Sequence, residues 1–127
     1  MSQKILIVDD EPHIRLLLEQ TLEELEGEGV ELLLAANGEE ALELIRSERP
    51  RVVFLDVMMP RINGFDVCQR VKQDPGLKDT IIIMLTAKGQ EFDKQRGQEV
   101  GADLYITKPF DPDVLTAKAA ELLGLEG

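Results

Sequence analysis

The chain alternates short, continuous apolar runs with longer segments in which apolar residues recur every three or four positions, and it does so five times. Few folds accommodate that pattern. The runs occupy residues 4–8, 30–36, 51–55, 80–86 and 104–107. Apolar, often β-branched runs of this length, without alternation, read as strands buried on both faces, the kind found in parallel sheets. Between them lie helix signals. Pro12 suits a first turn, and Ile14, Leu17, Leu18, Leu22 and Leu25 follow as an inner stripe, with Gly27 and Gly29 to stop it. Asn37 caps the next helix, with Glu40 three residues on in a capping-box arrangement, and Ala41, Leu42 and Ile45 face inward. A third helix spans about residues 65–73 and is broken by Asp74-Pro75-Gly76. Residues 90–100 form the fourth. With only Phe92 and Val100 as large apolar residues, and Gly97 inside it, this should be the weakest helix. The fifth spans residues 112–123, with Val114, Leu115, Ala119 and Leu122 inward.

Five strands alternating with five helices give an α/β fold whose parallel sheet is covered on both faces by right-handed crossovers. A single doubly wound (βα)5 domain over residues 1–127, with strand order 2-1-3-4-5 in the flavodoxin-like manner, fits best. In that order the chain reverses direction between the first and third strands. Ligands of open α/β sheets bind at such a switch point, outside the carboxyl ends of the strands. Asp9 and Asp10 follow the first strand there, Asp56 ends the third, Thr86 the fourth, and Lys108 follows the fifth.

Those five residues have complementary chemistry. Three carboxylates at one crevice repel one another unless a cation joins them. Magnesium takes oxygen ligands, keeps several waters and is commonly held by one or two carboxylates together with a phosphate. An Asp carboxylate can attack phosphorus, while a cation and an ammonium such as that of Lys108 neutralise the equatorial oxygens. The Thr86 hydroxyl can donate to one of those oxygens. Taken singly, each residue has a plainer reading: Asp56 as a turn residue, Asp9 and Asp10 as helix-start carboxylates, Thr86 as a cap, Lys108 as a solvated charge. Their conjunction at the ends of four otherwise apolar strands favours the chemical reading.

Composition narrows the partners. The 127 residues carry 25 Asp and Glu against 14 Lys and Arg, a formal charge of −11, which disfavours direct nucleic-acid binding. No membrane-length apolar run and no signal-peptide pattern occur, so no membrane contact is expected. Cys68 is the only cysteine, which excludes an intrachain disulfide and fits a reducing, cytoplasmic setting. On a helix, it reads as a small buried hydrophobe. His13, at a helix start, reads as a surface residue.

The segments Ile7-Val8-Asp9-Asp10-Glu11, Leu55-Asp56-Val57-Met58-Met59-Pro60, Leu85-Thr86-Ala87 and Gly101-Ala102-Asp103-Leu104-Tyr105-Ile106-Thr107-Lys108-Pro109-Phe110 resemble the response-regulator receiver domain of two-component signalling. The resemblance implies a phosphorylation switch. Asp56 would accept a phosphoryl group from a sensor histidine kinase or a phosphotransfer protein. Asp10 and Asp56 would hold Mg2+ directly, Asp9 through water, and Met58 through its backbone carbonyl. Thr86 and Lys108 would grip the phosphoryl group, and Tyr105 would report the state of Thr86. The resemblance also implies a cis Lys108–Pro109 peptide, a downstream protein target that the sequence does not name, and an output face made by the fourth helix, fifth strand and fifth helix. It is compatible with a phosphorylation-dependent dimer. Leu104, where the family usually has a second acid, and the polar fourth helix depart from the pattern. Such a switch turns over no separate substrate. The rival is a Mg2+-dependent phosphohydrolase with an Asp nucleophile, but the residue two past Asp56 is Met58, not an acid. A receiver belonging to a longer transcription factor or nucleotide cyclase is equally compatible with the sequence.

Overall fold

The computed structural model describes residues 3–87 and 91–125. Its strands are β1 (Gln3–Val8), β2 (Val30–Ala35), β3 (Val52–Asp56), β4 (Ile81–Ala87) and β5 (Leu104–Lys108). Its helices are α1 (Pro12–Leu22), α2 (Gly38–Glu48), α3 (Gly64–Gln73), α4 (Glu91–Val100) and α5 (Pro112–Leu123). All strand pairs are parallel, in the order β2-β1-β3-β4-β5. The expected doubly wound topology is the observed one.

Successive side chains of a strand point to opposite faces, so each apolar run feeds two cores. Leu6, Val8, Val53, Leu55, Ile82 and Met84 pack with Ala41, Leu42 and Ile45 of α2, Val67, Cys68 and Val71 of α3, and Val100 of α4. Ile5, Ile7, Val52, Phe54, Ile83 and Leu85 pack with Leu18 and Leu22 of α1 and Leu115, Ala119 and Leu123 of α5. Full burial of one such large apolar side chain contributes about 1.5–3 kcal/mol. β3 is buried along its whole length, as its place in the middle of the sheet requires.

Several helix details depart from expectation. α1 ends at Leu22 and the chain continues as a 3-10 turn, Glu23–Glu28, closed by Gly29 at φ 86°. The i, i+4 pair Leu18 and Leu22 faces the sheet, which rotates Leu17 outward to 42% exposure. On α5 the same geometry favours Leu115, Ala119 and Leu123, and Val114 is 60% exposed. At α2 the Asn37 side chain accepts from the Glu40 amide, but the Glu40 carboxylate reaches back to the Ala36 amide instead of that of Asn37. The reciprocal capping box is at α3, where Asn63 and Asp66 each accept from the other's amide. The expected start of α4 at residue 90, and the side chain of Phe92, lie outside the described residues. Val100 is buried, whereas Gln95, Arg96, Gln98 and Glu99 are exposed.

Lys72, near the end of α3, ties together the lower edge of the sheet. Its Nζ donates to the Thr80 carbonyl at 2.6 Å, the Lys78 carbonyl at 3.1 Å and Asp103 Oδ2 at 2.8 Å. The same Asp103 oxygen accepts from the Ile82 amide. Gly101, at φ 91°, passes so close that a Cβ there would lie 3.1 Å from Lys72 Cγ.

Candidate functional site

Three strand ends converge on one cluster. Asp9 follows β1 and is fully buried; its amide donates to the Ala35 carbonyl, and its Oδ1 accepts from the Glu11 amide at 2.9 Å. Arg15, one turn into α1, holds the Asp9 carbonyl at 2.7 Å. Asp10 is exposed. Asp56 is the last residue of β3, 4% exposed, opposite Leu85. The loop after it folds back closely. Gly64 opens α3 with its amide on the Val57 carbonyl, and a Cβ there would lie 2.5 Å from the Asp56 carbonyl oxygen. Lys108, the last residue of β5, precedes a cis peptide to Pro109. Its Nζ lies 3.2 Å from Asp9 Oδ2 and 3.1 Å from Asp56 Oδ1.

Carboxylate oxygens of Asp9, Asp10 and Asp56 lie within 4.8 Å of one another. Burial and the neighbouring Asp9 push the Asp56 carboxyl up to about 6, against the charge and hydrogen bond of Lys108. Burial works against the Lys108 ammonium, but Asp56 and Asp9 outweigh it and hold the pKa above its ordinary value. Three acids and one ammonium leave an excess of negative charge, and hard oxygen donors in that arrangement suit a divalent cation such as Mg2+. Asp9 already spends both oxygens on Glu11 and Lys108, whereas Asp10 and Asp56 Oδ2 have no hydrogen-bond partner among the described residues. The cluster therefore has free ligand atoms on the two acids expected to bind directly.

Thr86 lies in β4 beside Thr107 and is 2% exposed. Tyr105 is opposite Met84, on the sheet face that Thr86 shares, and its ring packs against the α2, α3 and α4 core. The Tyr105 hydroxyl is buried and has no hydrogen-bond partner among the described residues. Met58 points its side chain into solvent at 73% exposure. Cys68 is buried, donates to the Val100 carbonyl at 3.5 Å, and burial pushes its thiol up to about 12. His13 is exposed, 3.6 Å from Glu11. Sequence reasoning missed Arg15 and Gly64. No local sequence signal aims the Arg15 guanidinium at the Asp9 carbonyl six residues earlier, and the tight approach of Gly64 likewise needs tertiary structure.

Residues 5–120 match the family described as the response regulator receiver domain. The chain belongs to that family. This receiver domain is 44% identical over 123 residues to the "Alkaline phosphatase synthesis transcriptional regulatory protein PhoP" of Bacillus subtilis, an alignment covering 97% of the chain and 49% of that protein. It is 47% identical over 122 residues to the "Probable transcriptional regulator ycf27" of Porphyra purpurea, covering 96% and 48%. Among solved structures, chemotaxis protein CheY4 of Vibrio cholerae superposes with a TM-score of 0.84 at 35% identity, covering 96% of this receiver and 99% of that chain. The receiver spans about half the length of the curated relatives it matches, and they are named as regulators, not as enzymes. No helix among the described residues is long and apolar enough to cross a membrane.

Proposed function

We propose that this receiver is a phosphorylation switch in which Asp56 accepts a phosphoryl group with the help of Mg2+. The observation that carries the reading is the Lys108 ammonium held between Asp9 and Asp56, with Asp10 beside them. Asp10, Asp56 and the Met58 carbonyl would hold the cation directly, and Asp9 through water. When bound, the cation supplies charge neutralisation at the phosphoryl oxygens. An Asp56 carboxylate oxygen forms the bond to phosphorus as the donor's bond to phosphorus breaks, and the donor leaves with that electron pair. Lys108 pairs with the transferred group's charge, and Thr86 donates its hydroxyl to one phosphoryl oxygen. Chemistry confined to Asp56, with no separate substrate, fits relatives named as regulators.

The donor in this reading is a sensor histidine kinase or a phosphotransfer protein, and the names of the relatives favour transcription as the output of a longer chain. Acetyl phosphate with Mg2+ tests the assignment. Intact-mass measurement should show one added phosphoryl group on the wild type, none on Asp56→Asn, and a steep loss with EDTA or Asp10→Ala. Equal labelling of the Asp56→Asn variant would remove Asp56 from the role.

A further inference from the structure

The Asp10 carboxylate joins the acid cluster with no hydrogen bond of its own among the described residues, so the backbone on either side of it sets its direction. Both flanking peptides are anchored. The amide of the peptide after Asp10, on Glu11, donates to Asp9 Oδ1 at 2.9 Å. The carbonyl of the peptide before it, on Asp9, accepts from one guanidinium nitrogen of Arg15 at 2.7 Å. We propose, on the reading of the cluster as a Mg2+ site, that Arg15 is a positioning residue: by holding the Asp9–Asp10 peptide it keeps the Asp10 carboxylate turned toward Asp56.

The Asp9 carbonyl depends on that contact. β1 ends at Val8, paired with Ala35 of β2 and Leu55 of β3, and the Asp9 amide still reaches the Ala35 carbonyl. Its carbonyl lies past the ladder, in a residue with no exposed surface, and Arg15 is its only donor among the described residues. A buried carbonyl without a donor is costly, so removing the guanidinium favours a peptide turned to find water. Asp10 turns with it, because rotating that plane changes ψ of Asp9 and φ of Asp10. Arg15 itself is well held. Its amide donates to the Glu11 carbonyl at 3.0 Å in the first turn of α1, its side chain is half-buried, and the planar guanidinium reaches back six residues to close a ring around Asp10.

Charge alone predicts the opposite effect. Arg15 places a second positive group beside three acids, so a purely electrostatic role would make its removal strengthen the attraction for a divalent cation. Positioning makes its removal weaken the hold. The sign of the change in Mg2+ affinity therefore separates the two roles.

Titration of the full isotope-labelled chain with magnesium chloride, at constant ionic strength, reads that sign from amide chemical shifts. The wild type should show saturable shifts centred on residues 9–11 and 56–58. Arg15→Met should bind at least fivefold more weakly, and Arg15→Lys, which keeps a donor and the charge, should lie between the two. In EDTA the methionine variant should already displace the amides of residues 9–11 while those of β4 stay in place. At saturating Mg2+ its labelling by acetyl phosphate should return to within twofold of the wild-type rate, because the Lys108–Asp56 pair does not involve Arg15. Arg15→Gln repeats the test if the methionine variant does not fold. Equal or tighter Mg2+ binding by the variant that folds would overturn the positioning role, as would undisturbed amides at residues 9–11 in EDTA or labelling that stays slow at saturating Mg2+. Absence of saturable shifts in the wild type would instead remove the Mg2+ reading, and the role of Arg15 with it.

Discussion

Lys108 stands between two buried acids, and that placement decides how the site answers to pH and substitution. Without a divalent cation the Asp56 carboxyl titrates near 6, above its ordinary 3.8, because burial and Asp9 disfavour its charge. The folded state therefore keeps a proton that the unfolded state releases between those values. The resulting stability is fully present below about pH 4 and is lost as pH rises through about 6. Urea unfolding in EDTA should accordingly show Asp56→Asn gaining on the wild type by about 1–2 kcal/mol between pH 5 and pH 7.5. An advantage that shrinks over that interval would contradict the assigned shift. Lys108→Met leaves two buried carboxylates without their cation and should cost about 1–3 kcal/mol at pH 7.5, with part of the loss recovered by millimolar Mg2+. Unchanged unfolding midpoints in the variant would show the ammonium to be dispensable.

The loop from β3 to α3 depends on Gly64, where a Cβ would lie 2.5 Å from the Asp56 carbonyl oxygen and 2.9 Å from the Val57 Cα. Backbone atoms cannot step aside as a flexible side chain can. Gly64→Ala should destabilise the fold by about 1–3 kcal/mol and slow acetyl phosphate labelling by displacing Asp56, whereas Gly27→Ala, with nothing within 4 Å, should leave labelling intact. The five strands and the convergence of Asp9, Asp56 and Lys108 could be read from sequence because an apolar run and the polar residue that ends it are local signals. Which leucine of α1 faces inward could not. Ile14, Leu17 and Leu18 all satisfy helical spacing, and only the angle at which α1 lies on the sheet selects Leu18 and exposes Leu17. Val114 and Leu115 pose the same choice on α5. The capping box at Asn63 escaped notice because Asp66 stands where Glu or Gln is the usual partner.

For the whole domain, phosphorylation can only shift the balance between conformations already present. The segment with the least to hold it is α4, where Val100 is the one buried side chain among those described. Hydrogen exchange with and without beryllofluoride should change most in α4 and β5, near Tyr105, whose buried hydroxyl lacks a partner among the described residues. Changes concentrated in α1 or α2 would place the output elsewhere. The contrast with the other end of the sheet follows from Lys72. One amine there rivets the end of α3 to the beginnings of β4 and β5, and the Asp103 carboxylate doubles the fastening. A tuning fork is held at its stem for the same reason. With the base of these two strands clamped, a rearrangement set off by phosphorylation is left to their other ends, where Thr86 and Lys108 stand.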